Sequence, residues 1–369
     1  MIYLDHHAAA PAPDAVRHAM HDAAGVAWAN PSSTHAAGRA SRQLLEAARE
    51  HIAKSIGAAA ADVVLTGGGT EACNLGIRGL AAGRDRVVTS QVEHPAVTES
   101  VRRLGREGRE VIWLSAVKGQ PPSLEELAPH LGPNTLVALQ WVNHETGTLF
   151  PIHEYAEACR EHEALLVVDA TQALGKVPLD VHSLGADAVA IAAQKIGGPA
   201  GAGACWVRRN LDLEPVLDGG SQERGRRPGT PHTLSMVGFG AACRLTEDRL
   251  AQQPRVTALR DRIEATLLEL GAVLNGGALR TGTVSNVSFA AWKGPLLVAA
   301  LDVEGVCVST GAACSSGLEE PSTVIRAMYP DEQWRAGSAV RISLGIETTE
   351  PDIETASQAF RRVLAREDA

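Results

Sequence analysis

A series of short apolar runs between about residues 60 and 210, each closed by polar residues or glycine, most restricts what this chain can fold into. DVVLTGGG, RVVTSQVEH, EVIWLS, TLVALQWVNHE, ALLVVDATQ, AVAIAAQK and GACWVRR have strand length, and runs such as ALLVV and AVAIAA carry the unbroken apolarity of strands buried on both faces. Amphipathic or alanine-rich stretches separate most of them. Strands and helices alternating in this way argue for a mostly parallel sheet covered by helices on both faces. From about residue 233 the pattern changes to two long helical stretches, then VSNVSFA, GVCVSTG and AVRISLG as strands with helices between and after. That is the pattern of a second, smaller α+β unit. A chain of 369 residues is long for one core, which agrees with this division.

Charge and cysteine usage narrow the function classes. The net charge is −9 with acidic and basic residues interspersed, so neither nucleic acid nor an anionic membrane is recommended as a partner. The N-terminal MIYLDHHAAAP lacks a basic stretch followed by an apolar one, and no window approaches a membrane-spanning apolar run, so a cytoplasmic location is expected. Six cysteines without any C-x-x-C pair point to neither a disulfide framework nor a metal site. Cys73, Cys159, Cys205, Cys243 and Cys307 lie in apolar or helical settings and read as packing residues. Cys314, in VSTGAACSSGLEEPS, reads as part of an exposed loop, the setting a reactive thiolate requires.

In an open α/β sheet the ligand collects beyond the carboxyl ends of the strands, so the residues that close each run carry the functional reading. After DVVLT comes GGGTEACN, where glycines lead into a helix start and Thr70 can offer its hydroxyl beside unpaired backbone N–H groups. That combination can hold a phosphate. It has neither G-x-G-x-x-G nor P-loop spacing, which disfavours a nucleotide-binding dehydrogenase. His94 follows RVVTSQVE, Asn143, His144 and Glu145 follow TLVALQWV, Asp169 and Gln172 follow ALLVV, and Gln194 and Lys195 follow AVAIAA. The chain has five lysines, and Lys54, Lys118, Lys176 and Lys293 fall in segments where reaching water is easy. Lys195 sits at the mouth of a buried strand. Taken alone, an edge lysine reaching solvent accounts for that position equally well. Beside Asp169 and a phosphate-ready turn it fits pyridoxal phosphate (PLP) better than any nucleotide, because a lysine can form an imine with the aldehyde while an acid keeps the pyridine nitrogen protonated.

The chain also resembles the cysteine desulfurases of the class V aminotransferase-like, fold type I PLP enzymes, in the group with the shorter catalytic loop. The resemblance runs through YLDHHAAAP, NPSSTHAAGR, TGGGTEACNL, VEHPAV, NHETG, DATQALGK, QKIGGPAG, GGSQERGRRPGT, STGAACSSG and VRISLGIETT, in order along essentially the whole chain. It implies a large, mostly parallel seven-stranded sheet domain over 13–250 and a smaller domain formed by 1–12 with 251–369, the latter carrying the catalytic cysteine loop. It implies Lys195 as the lysine that binds PLP, Asp169 as partner of the pyridine nitrogen, His94 as the imidazole stacked on the ring and a proton carrier, and Gln172 near the ring hydroxyl. Gly69 and Thr70 become the phosphate cradle, and Thr230 a residue reaching the phosphate of a neighbouring subunit, hence a homodimer with shared sites. Arg341 and Asn30 belong with the carboxylate of the substrate L-cysteine. Cys314 becomes the nucleophile that takes the sulfur as a persulfide for an acceptor protein or small molecule.

Departures from the family pattern cluster in the same motifs. DHHAAAP stands where DNNATTP is usual, NHETG for NNETG, AAQK for S-G-H-K, and GPAG for G-P-K-G. Thus His6 and His7 replace asparagines, His144 replaces an amide that contacts the PLP ring hydroxyl, and Gln194 is the remaining candidate donor to the phosphate where a serine and a histidine are lost. Lys195, Asp169, His94, Arg341 and Cys314 are all retained. A selenocysteine lyase or related C–S lyase is the nearest alternative, and a catalytically weak docking partner for sulfur-carrier proteins is an alternative of another class.

Overall fold

The structure, a computed structural model, describes residues 1–311 and 320–365; Cys314 lies outside the described residues. Seven strands form the large sheet: β1 Val63–Thr66, β2 Arg86–Ser90, β3 Glu110–Leu114, β4 Thr135–Gln140, β5 Leu165–Asp169, β6 Ala188–Ala192 and β7 Gly203–Val207. Their order across the sheet is β1-β7-β6-β5-β4-β2-β3. All pairings are parallel except those of β7, which runs antiparallel to β1 and β6. The apolar runs explain the burial directly. Every residue of β4, β5 and β6 is buried, with Val137 and Leu139 facing one core and Leu136 and Ala138 the other. β3, one of the two edge strands, starts on exposed Glu110.

Helices cover both faces. On one lie α1 Asp14–Ala24, α2 Ala36–Lys54 and a later helix that packs against both, Thr233–Cys243. That helix, TLSMVGFGAAC, is apolar nearly all round, which suits a helix buried between others. On the other face lie α3 Gly69–Gly79, which begins after β1, and α4 Pro95–Arg106, which begins after β2.

The second unit has its own core and a three-stranded antiparallel sheet of Val273–Asn275, Val284–Ser288 and Ala339–Ser343. Two expectations are corrected here. Val273–Asn275, too short to show a period, is a strand that the sequence reading did not identify. Of GVCVSTG only Val306–Cys307 pairs as a strand, in parallel with Ile2–Tyr3 at the N-terminus. Leu4 follows into the core of this unit.

Candidate active site

The carboxyl ends of β2, β4, β5 and β6 converge on one cavity of about 490 Å³. Lys195 enters it from a single 3₁₀ turn, Ala193–Ile196, that follows β6 and is closed by Gly197 at φ +75°. A side chain there would meet the Pro11 carbonyl oxygen at 2.7 Å, so glycine makes the turn possible. The Lys195 Nζ donates to the carbonyl oxygens of His7 at 2.8 Å and Ala8 at 2.9 Å. Asp169 ends β5, and its Oδ1 accepts from the Thr171 N–H at 3.0 Å and hydroxyl at 2.7 Å, which fixes the carboxylate's orientation. Cys73 also lines the cavity; burial, reinforced by Asp169, pushes its thiol well up.

His94 caps α4. Its Nδ1 accepts from the Ala96 N–H at 3.0 Å, so the proton of the neutral ring belongs on Nε2. Burial holds this imidazole below its ordinary value, with Lys195 adding to the effect and Asp169 opposing it. His94 meets the edge of His144 with ring centroids 5.2 Å apart.

The loop after β4 is shaped by Asn143, whose Oδ1 accepts from the N–H groups of Glu145 at 3.1 Å and Thr146 at 2.9 Å. This tight turn presents His144 and Glu145 to the cavity. Burial keeps His144 well below the ordinary imidazole value, and its Nδ1 has no hydrogen-bond partner among the described residues. Burial pushes Glu145 up to about 7, against the opposing influence of Ser322 and Arg341. Glu93 is a second buried carboxyl in the wall: Oε1 accepts from Ser90 Oγ at 2.6 Å, and burial raises it well above the carboxylate range. Arg341 arrives from the small sheet, donating from Nη1 to the His144 carbonyl at 3.0 Å and from Nη2 to Asp5 at 2.8 Å. Its Nε is buried without a partner among the described residues. Cys73, Glu93, Thr171 and Asp5 were not singled out in the sequence, because nothing local distinguishes them from packing or turn residues.

Of the residues expected from the sequence, Lys195, Asp169, His94, Gln172, Gln194, His144, Gly69, Thr70 and Arg341 all line the cavity. Asn30 and Thr230 are exposed and do not line it; Asn30 Oδ1 accepts from the Ser32 N–H at 2.9 Å. Lys176 is half-buried: its ammonium donates to Gln172 Oε1, and desolvation, with Lys195, Arg341 and Arg249 adding, pushes its pKa well below the usual lysine value. The turn after β5 curls back and carries it beneath the site, which no local pattern announces. Gln172 in turn donates from Nε2 to the His7 carbonyl at 2.8 Å, the same oxygen that Lys195 uses. Two departures also meet: the His7 ring binds Thr283 Oγ1 at 2.9 Å and lies 3.4 Å from the His144 carbonyl.

The sequence signature of Aminotransferase class-V matches residues 2–355. The chain belongs to the aminotransferase class-V family. It is 38% identical over 382 residues to a protein of Mycobacterium tuberculosis called IscS-like cysteine desulfurase, covering 99% of this chain and 97% of that one. Among solved structures, a NifS-like protein from Rickettsia africae superposes with a TM-score of 0.89 at 27% identity over 99% of both chains. Another, SspA in complex with cysteine, superposes with a TM-score of 0.82 at 29% identity, covering 95% of this chain and all of that one.

Aminotransferase class-V enzymes use PLP, and the cavity of this member fits that group. An amine, an oriented carboxylate and a helix start face one space. Gly69 opens α3 so close to the sheet that a Cβ would meet Thr171 Cγ2 at 2.9 Å and Ala192 Cβ at 3.0 Å, which leaves first-turn N–H groups available to phosphate. Gln194 Oε1 is buried beside this helix start without a partner among the described residues, consistent with a polar guest. Lys195 would hold the aldehyde carbon, Asp169 the ring nitrogen, and Gly69 and Thr70 the phosphate.

Proposed function

We propose that the chain is a cysteine desulfurase that converts L-cysteine to L-alanine and takes the sulfur onto Cys314 as a persulfide for an acceptor. The observation that carries this reading is the convergence of Lys195, Asp169, His94 and Arg341 on one cavity, in a chain that retains Cys314 and aligns end to end with relatives called cysteine desulfurases. Bound PLP supplies an electron sink for bonds at the substrate α-carbon. Arg341 binds the substrate carboxylate: its Nε–H is unclaimed among the described residues, and Asp5 and the His144 carbonyl hold the guanidinium plane in place. Asp169, pinned by Thr171, keeps its charge directed at one point of the cavity. His94 carries a proton on Nε2 and stays neutral, so it can pass protons at the substrate.

Cys314 as thiolate attacks the substrate sulfur. The S–S bond forms, the C–S bond breaks, and its electron pair stays with carbon, which takes up a proton to leave alanine. Exposed Thr230, outside the cavity of its own chain, fits a homodimer in which it reaches the phosphate site of the neighbouring subunit. A cytoplasmic enzyme fits a chain in which, among the described residues, no helix is long and apolar enough to cross a membrane.

The test is turnover of the purified, PLP-loaded protein with L-cysteine and a reductant. Alanine and sulfide should appear in equal amounts, the resting protein should gain one sulfur atom on Cys314, and Cys314→Ser should release neither product. Full cysteine turnover by Cys314→Ser would refute the persulfide step. Thiol-independent turnover of selenocysteine alone would instead identify a selenocysteine lyase.

A further inference from the structure

Glu145 makes contacts that the chemistry above does not use. Its Oε2 accepts a 2.6 Å hydrogen bond from Ser322 Oγ. Ser322 caps the helix Thr323–Met328, its Oγ accepting from the Ile325 N–H at 3.0 Å, so its one hydroxyl proton is left for Glu145. Gly311 packs on the same carboxylate oxygen. It has φ +91°, and a Cβ there would lie 2.6 Å from Glu145 Oε2 and 2.9 Å from its carboxyl carbon. Gly311 is itself held in place: its N–H donates to Ser309 Oγ at 3.1 Å, and Ser309 exchanges backbone hydrogen bonds of 3.2 and 2.6 Å with Arg341. Gly311 lies three residues before Cys314 and Ser322 eight after it.

We infer that Glu145 is a positioning residue for Cys314: one buried carboxyl in the wall of the cavity that binds the substrate holds Ser322 by a hydrogen bond and packs against Gly311, on either side of the cysteine in the chain. The inference rests on Cys314 being the sulfur acceptor. A thiol that must meet the substrate sulfur gains from a fixed base, because fastening both ends of its segment reduces the space it explores. Facing Glu145 are His144, with Nε2 3.9 Å from Oε1, and Arg341 and Ser322; His94 and His7 pack on His144, and Asp5 pairs with Arg341. A charged carboxylate accepts more strongly than a neutral acid, so the tie to Ser322 strengthens as Glu145 loses its proton near neutral pH.

Three variants of the PLP-loaded enzyme test this: Glu145→Ala, Glu145→Gln and Ser322→Ala. Each is read by kcat and KM for cysteine as functions of pH, by PLP content, and by the rate at which iodoacetamide alkylates Cys314, followed by mass spectrometry. In Glu145→Ala, kcat should fall by about tenfold or more with KM little changed, while Cys314 is alkylated faster than in the parent and PLP content is kept. The parent should show a rise in kcat near pH 7, and Glu145→Gln, which retains an acceptor oxygen, should recover most of kcat but lack that rise. Ser322→Ala, which breaks the tie from the other side, should reproduce Glu145→Ala, and it decides the matter if Glu145→Ala does not fold. Parent-like kcat and alkylation in Ser322→Ala would overturn the inference, as would equal impairment of all three variants together with loss of PLP. Full turnover by Cys314→Ser would instead remove the acceptor role itself, and the alkylation rates would still report whether Glu145 restrains that residue.

Discussion

Around the cavity, burial sets the charge of single side chains and pushes acids and bases in opposite directions. Glu93 and Glu145 are raised while His7, His94 and His144 are lowered, so a dense set of titratable groups can share one wall with little net charge. Glu145 gives a measurable sign. Its folded value of about 7 lies above 4.5, so between these limits the folded protein binds the proton more tightly than the unfolded chain. Stability contributed by this group therefore falls as pH rises through that window, by about 3 kcal/mol once it is complete above pH 7. Glu145→Gln should remove that slope, checked by urea unfolding at a series of pH values; an unchanged slope would show that another group carries it. Gln194 is the second case at this scale. With its Oε1 unpartnered among the described residues and beside Gly69 and Thr70, it can turn its amide N–H₂ to a phosphate, and Gln194→Ala should retain less PLP after extensive dialysis, measured by releasing the cofactor with alkali. Equal retention would mean that the helix start suffices.

At the scale of elements, the site depends on how closely α3 approaches the sheet. Gly69 allows the helix to begin against Thr171 and Ala192, two residues that also border the cavity. Gly69→Ala must push the first turn outward by several tenths of an ångström, since its Cβ would meet carbon atoms at 2.9 and 3.0 Å. The expected outcome is PLP affinity lower by about tenfold or more, with a loss of about 1–3 kcal/mol in unfolding free energy. Titration of the apo protein with PLP checks the first figure and urea unfolding the second. These elements were largely legible in the sequence. The strands of the large sheet show as apolar runs because both faces are buried, whereas Val273–Asn275 is three residues long and has no period to read. The antiparallel direction of β7 was equally invisible, since strand direction is a matter of pairing and not of composition.

For the whole molecule, the histidines introduced into the N-terminal motif predict acid sensitivity. His6 lies behind the cavity against Gly345 and is lowered to about 4, chiefly by burial. It is neutral in the fold, and between that value and 6.5 the unfolded chain binds the proton more tightly, so its contribution is complete above pH 6.5 and is lost as pH falls towards 4. Between about pH 8 and about pH 5 the loss from this residue is about 2 kcal/mol, and buried His7 and His144 act in the same direction. In His6→Asn, the difference in unfolding free energy between those two conditions should shrink by about that amount, measured by urea unfolding. A difference equal to the parent's would show that His6 gains its proton without unfolding pressure.

The amino-acid sequence alone determined the layered α/β architecture, the strand-end polar residues and, through motif order, the positions of Lys195, Asp169, His94 and Arg341, because these are written as local runs and spacings. Only the tertiary structure decided that the Lys176 ammonium turns to Gln172, that Gln172 spends its amide on the His7 carbonyl, that Arg341 is braced by Asp5, and that Glu145 touches both Gly311 and Ser322. All but the first of these join residues far apart in the chain, and the pKa of each group follows from what is packed around it. Burial and partnership are properties of the assembled fold, and a sequence pattern records only the local periods that make assembly possible.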